Sequence, residues 1–289
     1  MIRRLCIVGV GLIGGSLARA LREQGYCHHI VGCSRKADNL ERAVELGVID
    51  SYETNLAKAV TDADMVVVCV PMGAMGAVFR AIRSHLAADA VVTDAGSSKR
   101  SVIEAAQQAF DGLPPFLVPG HPIAGTERTG VDASFASLYR GRKVILTPTP
   151  NSAPQAVARV KAMWEASGAQ LIEMAPDHHD EVLAATSHLP HMLAYNLVDM
   201  LGTMQQRREM FRYAAGGFRD FTRIASSDPV MWHDICLANS DALLAAVDGF
   251  AASLAELRTA IADGDSETLM DCFTRAKTLR DAHIELDAP

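Results

Sequence analysis

Apolar and polar positions follow two regimes along the chain. In the first, short β-branched runs recur at 5–11 (LCIVGVG), 29–34 (HIVGCS), 65–71 (MVVVCVP), 90–96 (AVVTDAG), 115–121 (PFLVPGH), 143–148 (KVILTP) and 170–174 (QLIEM). Stretches with helical spacing lie between most of them, such as SLARALREQG and AVARVKAMWEASG, each closing on a glycine as helices often do. Near-continuous apolar strands alternating with helices predict a parallel sheet covered on both faces. From Ala175 the strand signal stops. Residues 176–210, 228–262 and 265–281 have helical spacing, and Asp228-Pro229 and Asp265-Ser266 are suited to start helices. The expected organisation is an α/β domain over 1–174 and an all-helical domain over 175–289.

Composition agrees with this division. A chain of 289 residues has room for two ordinary domains. With 49% apolar and 21% charged residues and a net charge of −7, disorder is excluded as the dominant state. Cys6, Cys27, Cys33, Cys69, Cys236 and Cys272 sit in apolar runs without C-x-x-C pairing, which predicts reduced, buried thiols rather than a disulfide frame or a zinc site. The basic and apolar start, MIRRLCIVGVGLIGG, resembles part of a signal peptide, but it is glycine-rich and runs into a helix pattern without an A-x-A site. No uncharged stretch reaches the roughly 18 apolar residues of a spanning helix. A cytoplasmic location is therefore expected. Charge is uneven, with a balance of +2 over residues 1–174 and −9 over 175–289. That acidity argues against nucleic acid or an anionic membrane as the main partner.

Gly9-Val10-Gly11-Leu12-Ile13-Gly14 follows an apolar strand and opens an amphipathic helix, the context that a dinucleotide-binding (Rossmann) fingerprint requires. Gly9 permits the tight turn, Gly11 lets the backbone approach a pyrophosphate, and Gly14 allows close helix–sheet packing. The helix start then offers N–H groups and a positive dipole end. Gly9, Gly11, Leu12, Ile13 and Gly14 are the expected cofactor contacts, with Val70 at the end of another strand. The bland alternative is a glycine-rich turn that binds no nucleotide. About 20 residues past the last glycine, where an acidic residue would hold a free ribose 2′-hydroxyl, the chain has Ser34, Arg35 and Lys36. A hydroxyl and two cations suit a 2′-phosphate, so NADP is expected to be preferred and NAD accepted more weakly. The other reading is a solvated strand end, with Asp38 or a backbone group serving the ribose.

Open α/β sheets bind ligands beyond the carboxyl ends of their strands. Two such ends are polar here, Asp94-Ala95-Gly96-Ser97-Ser98-Lys99 and Gly120-His121-Pro122 leading to Glu127. His121, rigidly held between glycine and proline, suits proton abstraction at neutral pH; a hydrogen-bonded structural histidine is the alternative. In the helical part, His188 and His191 share a face if the helix continues through Pro190. His178 and His179 lie nearby, yet no carboxylate or thiolate at ligand spacing completes a metal set, so no metal is expected. Gly216-Gly217-Phe218-Arg219-Asp220-Phe221-Thr222-Arg223 reads as a helix–helix turn or as an anion clamp.

Taken together, GVGLIGGS, DAGSSK, GHPIAGTERTG, KVILTP, TSHLPH and GGFRDFTRIASSDPVMW resemble the prephenate dehydrogenase family, the tyrosine-pathway enzymes also called cyclohexadienyl dehydrogenases. The match runs over nearly the whole chain in the family's order. It implies a nucleotide-binding domain, a helical domain that forms a homodimer, and oxidative decarboxylation of prephenate or arogenate. It also implies roles for individual residues. His121 resembles the catalytic base, and Ser97 the hydroxyl residue that orients it beside the nicotinamide. Arg223 matches the arginine that grips the ring carboxylate. His191, His188, Gly216, Asp220, Trp232 and Glu127 match positions lining the substrate site, some of them reached by the partner subunit in dimers of the family. Neither a fused chorismate mutase nor a C-terminal ACT domain is expected, since only IELDAP follows the helices, so any inhibition by tyrosine would act at the active site. Two other readings stand beside this one. A β-hydroxyacid dehydrogenase would need a G-x-x-x-K helix segment, but Gly202 is followed by Gln206 and Gly216 by Asp220. A non-catalytic redox sensor would need none of His121, His191 and Arg223.

Overall fold

The structure is a computed structural model that describes residues 1–205 and 207–284; Gln206, which stands where a β-hydroxyacid dehydrogenase would have its lysine, and the end of IELDAP lie outside the described residues. The α/β part begins with β1 (Ile2–Val8), α1 (Leu12–Glu23), β2 (Cys27–Cys33), α2 (Ala37–Glu45), β3 (Ser51–Glu53) and α3 (Leu56–Val60). It continues with β4 (Met65–Val68), α4 (Met75–Ile82), β5 (Val91–Asp94), α5 (Arg100–Ala109) and β6 (Leu117–Val118). The strands form one parallel sheet in the order β3-β2-β1-β4-β5-β6.

Strand geometry explains why these runs are continuously apolar. Successive side chains point to opposite faces, so a strand covered on both faces must be apolar at every position. Leu5, Ile7, Met65 and Val67 enter the core on one face, with Leu17 and Leu21 of α1. Cys6, Val8, Val66 and Val68 enter the core on the other, with Phe79 of α4 and Val102 of α5.

A second sheet differs from the expectation. The run 115–121 is not one strand: β6 ends at Val118, and Gly120–Pro122 form a separate β7. Pro119 between them has no N–H to give a ladder, and its carbonyl accepts from the Thr147 N–H. β7 pairs antiparallel with β8 (Lys143–Leu146). β8 in turn pairs parallel with β9 (Gln170–Glu173), which follows α6 (Pro154–Ala166). The sheets are therefore not all parallel.

All elements after Glu173 are helical among the described residues. α7 (Pro176–Leu183) runs into a π-helical turn at Ala184–His188 and then α8 (Leu189–Thr203). The wide turn lies just before Pro190, whose missing N–H a regular helix could not accommodate without losing a bond. α9 (Arg207–Arg212), α10 (Gly216–Thr222) and α11 (Pro229–Ala238) follow. Asp228 caps α11 by accepting from the Val230 and Met231 N–H groups. The helical run expected over 228–262 breaks at Asn239, after which come α12 (Ser240–Asp263) and α13 (Ser266–Ile284). By compactness the chain divides into Met1–Ser240 and Asp241–Pro289. The second unit exposes Leu244, Phe250, Leu254, Ile261, Met270 and Phe273. Among the described residues no single helix is long and apolar enough to cross a membrane.

Candidate active site

The glycine loop lies at the carboxyl end of β1. Gly9 has φ +97°, and a Cβ there would stand 2.2 Å from the Cys69 carbonyl oxygen. Gly14 passes so close to the turn that a Cβ would meet the Gly9 oxygen at 2.3 Å and Ile7 at 2.7 Å. A side chain at Gly11, by contrast, would enter open space beside the start of α1. No side chain caps α1 and no acid lies in its first turn, where Leu12 and Ile13 stand. Asn39 Nδ2 donates to the Val10 carbonyl (2.7 Å) and holds the loop's shape. A cavity of about 660 Å³ opens beside this loop, lined by Gly9, Ser34, Arg35, Asn55, Cys69 and Val70 among others. Lys36 lies at the start of α2, its N–H 3.5 Å from Ser34 Oγ. A bare, positively polarised helix end beside an open cavity fits a dinucleotide.

The register of the sheet places the candidate base at the same carboxyl edge of the sheet as this crevice. Val8 pairs with Val68, and Val68 with Asp94, so the ends of β1, β4 and β5 stand side by side. Asp94 Oδ1 accepts from the Gly120 N–H (3.2 Å) and Oδ2 from the Gly96 N–H (2.7 Å). Lys99 Nζ pairs with Asp94 and donates to the Gly120 carbonyl (2.7 Å); both charged side chains are fully buried. This ion pair fixes the residue preceding His121.

His121 Nδ1 lies 2.9 Å from His179 Nε2, and His179 Nδ1 lies 2.7 Å from Asp180 Oδ1. Burial pushes the His121 pKa well below the ordinary histidine value, and His179, Lys99 and His188 push it further down. His121 is therefore neutral at neutral pH. Ser97, which the resemblance implied as the orienting group, is half-buried on the loop after β5, and among the described residues it makes no hydrogen bond to His121.

The helical candidates gather around Trp232 on α11. His191 stacks on its ring (centroids 3.7 Å apart, 20° between planes), and His188 meets it edge-on at 6.1 Å. Both histidines thus reach the same indole despite Pro190. Asn239 Nδ2 donates to the Asp180 carbonyl (2.8 Å) and to His188 Nδ1 (3.1 Å). With Nδ1 accepting, neutral His188 carries its hydrogen on Nε2. Burial lowers the His188 pKa to about 4. His188 Nε2 and Trp232 Nε1 are buried donors without a partner among the described residues. Asp234 Oδ2, also on α11, accepts from the Gly73 N–H (3.0 Å) and ties that helix to the loop after β4.

Arg223 follows α10 and pairs with Glu127, their side chains 64% and 35% exposed. The Ser227 carbonyl, four residues on, accepts from Tyr195 Oη (2.5 Å), which anchors this turn to α8. Gly216 opens α10 and Asp220 is exposed on it; among the described residues neither hydrogen-bonds to the histidine cluster. No three His, Cys, Asp or Glu side chains among the described residues form a group able to hold a metal.

Sequence reasoning passed over Lys99, His179, Asp180, Asn239 and Asn39. Local signals existed: an Asp directly after His179, a lysine inside an otherwise small and polar loop, and an Asn where the apolar helical pattern of 228–262 breaks. None of them identifies its partner, because each partner lies on another element.

Comparison with known proteins identifies the family. The family profile described as "Prephenate dehydrogenase, nucleotide-binding domain" matches residues 17–173, and "Prephenate dehydrogenase, dimerization domain" matches 175–275. Cyclohexadienyl dehydrogenase of Zymomonas mobilis is 43% identical over 283 residues, covering 96% of this chain and 95% of that protein. The crystal structure of prephenate dehydrogenase from A. aeolicus, in complex with hydroxyphenyl propionate and NAD+, superimposes with a TM-score of 0.91 at 37% identity, covering 98% of each chain. Synechocystis arogenate dehydrogenase gives 0.81 at 29% identity, covering 97% of this chain and 99% of that one. A Rossmann-type domain followed by helices, matched over both parts, places this chain in the prephenate dehydrogenase family.

Proposed function

We propose that this chain oxidatively decarboxylates prephenate or arogenate, giving 4-hydroxyphenylpyruvate or tyrosine. The observation that carries the reading is a neutral histidine, His121, whose preceding residue is bonded to the end of β5, at the same carboxyl edge of the sheet as a glycine loop with an open cavity. When bound, the nicotinamide accepts the hydride that leaves C4 of the ring. His121 Nε2 takes the proton of the C4 hydroxyl as that hydride departs, and aromatisation drives loss of carbon dioxide from C1. The protein's task is then positioning plus one base. His188 Nε2–H and the Trp232 indole N–H, both buried and unpartnered, are suited to meet substrate oxygens. His191 supports the indole by stacking on its face. Glu127, which pairs with Arg223, and Gly216 and Asp220 of α10 are assigned to the substrate site on the family resemblance.

Arg223 supplies the charge for the ring carboxylate, exchanging Glu127 for substrate. Because the side chain is largely exposed, the loss on removal is moderated by solvent. Arg223→Ala is expected to raise KM for the substrate about 10–100-fold with a smaller change in kcat. An unchanged KM would assign Arg223 to the surface and place the anion clamp elsewhere.

The cofactor reading is NADP preferred and NAD accepted more weakly, held by Gly9, Gly11, Leu12, Ile13 and Gly14 at the pyrophosphate and by Val70 and Ser97 toward the nicotinamide. Support comes from Ser34 and Arg35 lining the cavity, with Lys36 beside them and no carboxylate at Ser34. Ser34→Asp adds an acceptor for a free 2′-hydroxyl and a repulsive charge against a 2′-phosphate. It is expected to move the kcat/KM ratio toward NAD by at least about tenfold. A wild type that already favours NAD tenfold or more would remove the basis of this reading.

A cytoplasmic homodimer completes the proposal. Its support is the match of the helical region to a dimerisation domain and the row of exposed apolar side chains on α12 and α13. The assay of purified protein with both substrates and both cofactors tests the function.

A further inference from the structure

We propose that His179 and Asp180 are positioning residues which fix His121 as the tautomer bare at Nε2; this rests on the dehydrogenase reading of the same site. Asp180 accepts hydrogen bonds on both carboxylate oxygens. Its Oδ1 accepts from the Lys99 N–H (2.8 Å), and its Oδ2 from the Arg100 N–H (3.0 Å) and Ser98 Oγ (3.0 Å). Its side chain is fully buried, as is that of His179. Burial raises the carboxyl pKa, but the bonds from His179, Lys99 and Arg100 outweigh it and hold the group below the ordinary carboxylate range.

An ionised carboxylate can only accept. His179 Nδ1, 2.7 Å from it, must therefore carry the hydrogen of that bond. His179 is neutral: burial and Lys99 lower its pKa, and the opposing pull of Asp180 and Asp94 does not offset them. A neutral imidazole with hydrogen on Nδ1 is bare at Nε2. His179 Nε2 thus accepts, and the 2.9 Å contact with His121 Nδ1 requires His121 to donate. His121 then has its lone pair on Nε2. The opposite tautomer would set two lone pairs against each other in this buried contact.

This chain of forced bonds does more than hold a ring. Asp180 binds three consecutive residues of the loop after β5, directly following Ser97, and also stands behind His179. The base, the loop and the start of the helical region are thereby set by one carboxylate. As His121 gains its proton at Nε2 it becomes cationic, and the Asp180 charge faces that cation through His179.

The test combines a tautomer measurement with kinetics. In the wild type without substrate, 15N-labelled imidazole NMR at neutral pH is expected to show His121 protonated at Nδ1 and bare at Nε2. Asp180→Asn presents an amide that can donate to His179 Nδ1, which reverses both rings. Its kcat is expected to fall on the order of 10²–10⁴-fold, while cofactor affinity and KM stay within about threefold. If that variant fails to fold, substitutions at His179 decide the matter. His179→Gln offers a carbonyl oxygen to His121 Nδ1 and is expected to keep at least about a tenth of kcat, whereas His179→Leu loses about 100-fold or more. A packing role would rank leucine equal to or above glutamine. Nε2–H on wild-type His121, or folded Leu and Asn variants within about threefold of wild-type kcat, would overturn the proposal. The NMR result needs no substrate. A wild type with the expected tautomer but no turnover of prephenate or arogenate would therefore sink the dehydrogenase reading and not this one.

Discussion

His121→Asn is expected to retain cofactor and substrate affinity and to lose turnover by about 10²–10⁴-fold, the usual contribution of a positioned general base. Asparagine preserves the size and an N–H toward His179 but offers no basic nitrogen at the position of Nε2. The pH profile carries a second expectation. A histidine whose pKa is depressed loses its base form only when pH falls through that lowered value. Burial with His179, Lys99 and His188 places that value below the ordinary 6.5. The acid limb of kcat/KM in the wild type should accordingly lie below pH 6.5, with activity present above it and lost on acidification. Near-normal turnover in a folded His121→Asn, or an acid limb above the ordinary histidine range, would contradict the assignment.

Lys99→Met should produce the largest loss of stability among the single substitutions considered. Lys99 and Asp94 are both fully buried, and together they hold Gly120 by the Lys99 bond to its carbonyl and the Asp94 bond to its N–H. Replacing the pair by apolar groups could be neutral, but removing one partner leaves an uncompensated charge in the interior. That typically costs about 3–5 kcal/mol. Urea unfolding measures it. A loss below about 1 kcal/mol, the size expected of an exposed pair, would mean that Asp94 finds another counter-charge or is not ionised. The catalytic consequence is also specific, since Gly120 precedes His121 and a loosened strand end would misplace the base.

Much of the α/β fold is legible in the sequence because its determinants are local. A strand buried on both faces is apolar along its buried run, as Leu5–Val8 of β1, all of β4 and Val91–Val92 of β5 are. Gly9 and Gly14 stand where only glycine fits, and a fingerprint built on backbone sterics is readable without a structure. The helix start at Asp228 was readable for the same reason, since its bonds reach only two and three residues ahead. What was not legible is non-local. Pro119 lies inside a run that is apolar enough for one strand, and only its position between two sheets shows that the chain changes partner there. The π-helical turn at Ala184–His188 answers a proline that comes after it, and propensity alone does not choose between a break and a widened turn. In the site, His121 and Arg223 were readable because their motifs resemble a family, whereas the pairs His121–His179 and Lys99–Asp94 depend on distances that spacing does not encode. In the sequence His179 stands only as one of a group of nearby histidines, whereas in the structure it hydrogen-bonds to Asp180 and His121.

At issue is whether the crevice at the glycine loop joins a nicotinamide dinucleotide to a cyclohexadienyl substrate whose hydroxyl proton His121 takes. Following reduced nicotinamide with purified wild type and His121→Asn, each with prephenate and with arogenate against NAD+ and NADP+, tests it most directly. The expected result is turnover of at least one substrate by the wild type, faster with NADP+, and a loss of about 10²–10⁴-fold in the variant. Binding of cofactor without reduction under any of these combinations, or equal rates in the two proteins, would contradict it.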